Sequence, residues 1–294
     1  MKIFNYGSIN IDHIYQVPHL VAPGETISST AYQQVLGGKG ANQSIALAKA
    51  GAVVKHIGRC NKADQWALEQ MRQAGVDCEL TQLVDQPSGH AIIQVDAQAE
   101  NSIILFGGAN QSFSTDDFKH ALSSAEAGDY LLLQNECNDI EQMINIALER
   151  QLKVVFNPSP MISNIATFAI DKIAVLVVNE IEISQLLGQS FNSTQQIVTA
   201  VRKHYSNIEV IVTLGAKGAM WINSEECIEV AAHKVEVVDT TAAGDTFLGF
   251  LLAAIAQGQS YKSALAIGCK ASALAVQSMG ASSSIPSMAQ VSAS

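Results

Sequence analysis

The sequence predicts an α/β fold, with a mostly parallel central sheet covered by helices on both faces and a small additional β-sheet. Three observations carry this. Short, near-continuous apolar runs at 130–133, 154–156, 173–178 and 208–214 read as strands buried on both faces. Helical segments alternate with them. Two stretches, approximately 13–36 and 79–106, break the rhythm with Val, Ile, Thr and Tyr, turn signals at Pro23-Gly24 and Pro87-Ser88-Gly89, and no helix.

In chain order, Gly7-Ser8-Ile9-Asn10-Ile11-Asp12 reads as a strand ending in alternating polar residues. Asn10 and Asp12 then point to one side of the extended chain, where an amide and a carboxylate can bind vicinal hydroxyls. The first irregular stretch leads into Leu36-Gly37-Gly38-Lys39-Gly40-Ala41-Asn42-Gln43-Ser44, which opens a helix that stops at Gly51. Three glycines in four positions let the backbone approach a ligand closely. Neither a P-loop nor a dinucleotide fingerprint fits, because Gly follows Lys39 and the spacings differ. By itself the cluster reads first as a tight turn and helix start; beside Asn10 and Asp12, Lys39 and Asn42 could complete a polyol site.

The stretch at 79–106 is expected to pair with 13–36 as a small sheet. Such a sheet cannot bury both faces, so it should cover a cleft as a lid or pair with another subunit as a homodimer. Ile140, Met143, Ile144, Ala147 and Leu148 follow a one-faced helical stripe, and further helices are expected near 180–187 and 194–205. Phe247 to Ala256 is apolar all round, which marks a helix buried in a large core. The Ser-rich tail from Ser282 is expected to be loose beyond Pro286. With no repeat, linker or low-complexity tract, residues 1–294 read as a single domain with lid segments.

The densest chemistry is in Val238-Asp239-Thr240-Thr241-Ala242-Ala243-Gly244-Asp245-Thr246-Phe247. Small residues where a loop becomes a helix leave backbone N–H groups bare at its positive end, a site for phosphate oxygens. Asp245 is misplaced there for anion binding but well placed to take a proton from an attacking hydroxyl. The same Asp could also be an ordinary first-turn residue stabilised by the helix dipole.

A formal net charge of −10 argues against a nucleic-acid-binding face, so an anionic substrate must be held by local donors and metal ions. Five scattered cysteines without a C-x-x-C pair suit a reduced, cytoplasmic protein, and the N-terminal residues turn polar too early for a secretory signal. The seven histidines make no metal-binding spacing. A ten-residue apolar run is too short to span a bilayer, which needs roughly 20 residues.

Two signatures, Gly-Gly-Lys-Gly-Ala-Asn-Gln at 37–43 and Asp-Thr-Thr-Ala-Ala-Gly-Asp-Thr-Phe at 239–247, together resemble the ribokinase family of carbohydrate kinases (PfkB type), from Gly7 to Pro286. The resemblance implies an ATP-dependent kinase that phosphorylates a primary hydroxyl, with D-ribose the leading acceptor and another small sugar or a nucleoside the alternative. It implies Asp245 as base, with the amides of Ala242, Ala243 and Gly244 as anion hole. Asn10, Asp12, Gly38, Lys39, Asn42 and Glu136 become sugar contacts. A non-catalytic sugar sensor is the rival of another class, but it would have no use for a base in an anion hole.

Asn179-Glu180-Ile181-Glu182 resembles the family's N-x-x-E motif, implying that Glu182 orders Mg²⁺ through water. Thr213-Leu214-Gly215-Ala216-Lys217-Gly218 resembles its nucleotide loop, and the ATP contacts implied are Asn179, Thr213, Gly215, Ala216, Lys217, Gly218, Gly244 and Cys269. A K⁺ site is implied at Asp239, Thr241, Ala275, Ser278, Gly280 and Ser284. The family's glycine-rich turn after the second strand is altered in Gly58-Arg59-Cys60-Asn61-Lys62-Ala63-Asp64-Gln65-Trp66-Ala67, so that turn should be built differently.

Overall fold

The computed structural model describes residues 1–98, 100–162, 165 and 168–293. The strands are β1 (Ile3–Tyr6), β2 (Asn10–Gln16), β3 (Ala31–Gly37), β4 (Val54–Asn61), β5 (Thr81–Val84), β6 (Gly89–Val95), β7 (Asn101–Phe106), β8 (Tyr130–Leu133), β9 (Lys153–Phe156), β10 (Val175–Asn179), β11 (Glu209–Thr213), β12 (Ala219–Ile222) and β13 (Cys227–Val230). The helices are α1 (Lys39–Lys49), α2 (Gln65–Gln73), α3 (Thr115–Ala121), α4 (Ile140–Glu149), α5 (Glu180–Leu187), α6 (Thr194–His204), α7 (Ala243–Ala256), α8 (Tyr261–Ala275) and α9 (Met288–Ala293).

Among the described residues, nine strands form one sheet in the order β13-β12-β11-β10-β9-β8-β1-β4-β5. It is parallel from β11 to β5; β12 pairs antiparallel with β11, and β13 antiparallel with β12. Successive side chains leave a strand on opposite faces, so β1 sends Ile3 into one apolar layer and Phe4 and Tyr6 into the other. The first layer packs under α1, α2, α7, α8 and α9; the second packs under α3, α4, α5 and α6. The α/β class expected from the alternating strands and helices is the one observed.

A second sheet of four strands has the order β3-β2-β6-β7. Its strands sit at 10–16, 31–37, 89–95 and 101–106. Thr81–Val84, expected within the small sheet, instead pairs with β4 at the edge of the large one. The short run Thr-Gln-Leu-Val suits either sheet, and tertiary pairing decided the matter.

Two further expectations change. The tail is not loose beyond Pro286: α9 forms there and buries Val291 in the first apolar layer. The altered turn at 58–67 carries β4 straight on to Asn61, whose side chain then accepts from Ala63 N to start a single 3₁₀ turn before α2. A side-chain cap does there what glycines would otherwise allow. No helix among the described residues is long and apolar enough to cross a membrane.

Candidate active site

The segments that carry Asn10, Glu136, Asn157, Asn179 and Thr213 lie at the carboxyl ends of parallel strands, where open α/β sheets place their ligands. Asn10 follows β1, Glu136 follows β8, Asn157 follows β9, Asn179 ends β10 and Thr213 ends β11. The helices α1 and α7 bring the two signatures together. A β-carbon on Gly249 would lie 2.3 Å from Ala46 Cβ, so these helices pack in close contact about two turns from their starts. Their first turns therefore meet. Asp245 Oδ1 accepts from Gln43 Nε2 at 2.8 Å, and Oδ2 from Asn42 Nδ2 at 3.3 Å.

Close backbone packing also shapes the glycine signature. Gly38 has φ 93°, a conformation that L side chains resist. A β-carbon on Gly40 would sit 2.3 Å from the carbonyl carbon of Gly7. The start of α1 is thus pressed onto the end of β1. Glu136 secures the contact: its Oε2 accepts from Lys39 N at 2.9 Å and from the Ser8 hydroxyl. Glu136 therefore meets the helix start through a backbone amide, with the dipole favouring its charge.

Asn10 and Asp12 share one face of β2, as their spacing requires. The Asn10 Oδ1 accepts from Asn110 Nδ2 at 2.8 Å, and Asn110 Oδ1 accepts from Ile9 N at 3.0 Å. Asn10 is thereby left with its NH₂ as the free donor. Burial, and secondarily the charge of Glu136, push the Asp12 carboxyl up to about 6. The Asp245 carboxylate, against the opposing effect of burial, holds the Lys39 ammonium above its ordinary range, with Glu136 and Glu182 adding to it.

Two cavities adjoin at the start of α7. A polar one of about 110 Å³ is lined by Lys39, Asn157, Asn179, Glu182, Thr213, Gly244 and Asp245, among others. A largely apolar one of about 510 Å³, within the usual range for small-molecule sites, is lined by Thr213, Gly215, Ala216, Gly218, Ala243, Gly244 and Cys269, among others. Thr213 and Gly244 belong to both. A β-carbon on Gly244 would meet nothing within 4 Å, so no protein packing calls for glycine there; a side chain would fill the junction.

Not every expected nucleotide contact faces the larger space. Asn179 and Lys217 do not line it. Asn179 caps α5, its Oδ1 accepting from Ile181 N and Glu182 N while its own N–H donates to Glu182 Oε2 at 2.9 Å. Lys217 is exposed and pairs with Glu180 at 3.4 Å. Ala242 adopts the left-handed region at φ 58°, a strain that non-glycine residues keep mainly at functional sites. The Ala243 amide donates to Thr240 O at 3.2 Å.

Asp239 ties that loop to the one after α8. Its Oδ1 accepts from Thr241 N at 2.9 Å and Thr241 Oγ1 at 2.6 Å, and its Oδ2 from Gly280 N at 2.9 Å. Burial alone would raise its carboxyl, but these hydrogen bonds hold it below the usual range. Of the other expected cation ligands, Ser284 Oγ donates to Ala281 O, and Ala275 O accepts from Ser278 N at 3.2 Å.

The pfkB family carbohydrate kinase model matches residues 1–288. The chain belongs to that family. It is 36% identical over 288 residues to ribokinase of Haemophilus influenzae, with 95% of this chain and 94% of the relative covered. Among solved structures it is similar to Arabidopsis thaliana ribokinase complexed with ribose and ATP (TM-score 0.88, 31% identity, 99% and 97% of the two chains covered). A Cryptococcus neoformans var. grubii ribokinase in complex with ADP is also similar (TM-score 0.87, 33% identity, 99% of both chains covered). The fold is that of ribokinase.

Several polar residues that the structure brings beside these segments are not legible in the sequence. Ser8, Asn110 and Gln134 carried no signal, because each acts on a partner more than thirty residues away or on backbone. Gln43 stood inside the first signature without a role. Asn157, just past β9, accepts from Gln43 at 3.2 Å. His233 and Lys234 line the larger cavity from a segment without periodicity.

Proposed function

We propose that this chain is an ATP-dependent ribokinase, transferring the γ-phosphate of ATP to the primary hydroxyl of D-ribose to give ribose 5-phosphate and ADP. The observation that carries the reading is Gly244, a glycine with no packing reason at the junction of a polar and an apolar cavity, next to the buried Asp245. Sugar in the polar space and nucleotide in the apolar one would meet there.

Asp12, with the Asn10 amide and the Lys39 ammonium, orients the sugar. Asp245 takes the proton from the attacking hydroxyl oxygen as that oxygen bonds to phosphorus and the bond to ADP breaks. The amides of Ala242 and Gly244 would receive the charge on the transferred group, usually the larger contribution, and the expected third donor, the Ala243 amide, would join them only by leaving Thr240 O. Glu182, whose carboxylate lines the polar cavity with Asp245 and Asn179, would hold Mg²⁺ through water; that oxygen donor set suits a cation that keeps several waters. Bound there, the ion would neutralise phosphate charge.

Potassium would sit near Asp239, Thr241 and Gly280, which the structure gathers, with Ala275, Ser278 and Ser284 completing an oxygen cage. The small sheet acts as lid over the sugar and as homodimer face. Its β7 exposes Ile103, Ile104, Leu105 and Phe106 at 50% or more, unusual for four consecutive large apolar residues. Five free cysteines suit a cytoplasmic setting.

A coupled ADP-release assay over pentoses, 2-deoxyribose, hexoses and nucleosides tests the reading. Ribose should give the highest kcat/KM. A nucleoside preferred over every free sugar would overturn the substrate assignment, and no turnover with any acceptor would overturn the enzyme.

A further inference from the structure

We propose that Gln43 is a positioning residue for Asp245, held in one orientation by a buried amide chain that begins at Asn5. Asn5 Nδ2 donates to Gly40 O at 2.9 Å and to Ser44 Oγ at 2.8 Å, so its Oδ1 is left as an acceptor. Gln134 Nε2 donates to that Oδ1 at 2.9 Å and to Gln43 Oε1 at 2.6 Å. Gln43 is therefore fixed with its oxygen toward Gln134 and its NH₂ toward Asp245 Oδ1, at 2.8 Å, and Asn157 Oδ1, at 3.2 Å. Asn157 has committed its own NH₂ to Val177 O at 3.0 Å.

Turning Gln43 over would set its oxygen against the Asp245 carboxylate and its NH₂ against the NH₂ of Gln134. Asn5, Gln43, Ser44 and Gln134 are all at most 1% exposed, so no water can repair such a mismatch. The chain thus delivers one aimed donor to one carboxylate oxygen. Asp245 Oδ1 is held, and Oδ2, with only the 3.3 Å contact to Asn42, is the oxygen that takes the proton. Gln43 lines neither of the two cavities; it acts through Asp245. The inference rests on the reading of Asp245 as the base.

The test is steady-state kinetics of Gln43→Met, which keeps the side chain's length and removes its donor, beside Gln134→Met and Asp245→Asn. For Gln43→Met we expect kcat to fall about 10²-fold, the loss that a misplaced reacting group causes. The KM values for ribose and ATP should stay within about threefold of wild type, because the contact matters for the transition state and not for binding. Gln134→Met, which leaves Asp245 untouched but frees Gln43 to turn, should show the same kcat-only loss in weaker form. A Gln43→Met enzyme with near wild-type kcat overturns the proposal. So does a loss spread over kcat and both KM values together with a lowered thermal midpoint, which would mark a merely structural role. An active Asp245→Asn enzyme instead removes the base assignment itself, and the positioning role with it.

Discussion

The carboxylate of Asp12 rests on the α-carbon of Gly37: a β-carbon at position 37 would lie 2.1 Å from Oδ2 and 2.5 Å from Cγ. The first glycine of the signature is therefore there for a side chain on the neighbouring strand. Gly37→Ala should push Asp12 aside and raise the KM for sugar about tenfold or more, on the scale of a hydrogen bond of about 1–3 kcal/mol lost from a buried group. The KM for ATP should change little. Equal changes in both would show that the glycine serves the helix start instead.

Asp12 also predicts pH dependence. Its carboxyl titrates at about 6, and only the ionised form accepts from two sugar hydroxyls. Sugar affinity should therefore weaken as pH falls below about 6, and titration calorimetry between pH 5 and 8 measures this. For folding the sign is opposite. A carboxyl raised in the folded state contributes stability below its unfolded value that is lost as pH rises through about 6. Asp12→Asn should consequently raise the thermal midpoint of the free protein at pH 8, lose that advantage near pH 4, and bind sugar worse at neutral pH. A midpoint difference independent of pH would sink the argument.

Asp245→Asn preserves the shape of a buried side chain but removes its basicity and charge and sets an NH₂ against Asn42 or Gln43 in place of one acceptor oxygen. Turnover should drop by roughly 10²- to 10⁴-fold, the usual worth of a general base, with sugar binding retained. Single-turnover measurements would separate this from slow product release. Wild-type kcat in this variant would mean that the proton goes elsewhere.

Potassium should activate, because Asp239 fixes the loop that presents Ala242, Ala243 and Gly244. Large, weakly hydrated cations suit cages of carbonyl oxygens. Replacing sodium by potassium at constant ionic strength should raise kcat, and Asp239→Ala should abolish the difference. The same rate in sodium, potassium and a bulky organic cation counts against a site.

The exposed strand Asn101–Phe106 should be the heart of a two-fold interface. Sedimentation at micromolar concentration should give a dimer for the native chain and a monomer for Ile104→Lys. A fully active native monomer would leave the lid without a partner.

The elements on this fold were written locally. Apolar runs of strand length, one-faced stripes such as Ile140 to Leu148, and the all-apolar stretch after Asp245 each answer to a period within a single segment, so they could be read without knowing what they touch. The spacing of Asn10 and Asp12 set their common face, and the small residues before Asp245 marked a helix start that can receive an anion. Tertiary structure alone decided the rest. It placed Thr81–Val84 at the edge of the large sheet, folded the tail into α9, and joined Asn5, Gln43, Gln134 and Asp245 into one buried chain. Those partners are separated by 91 to 202 positions. A polar side chain chooses its partner by where the sheet order and the close α1–α7 contact put it, and no local period in the sequence encodes that choice.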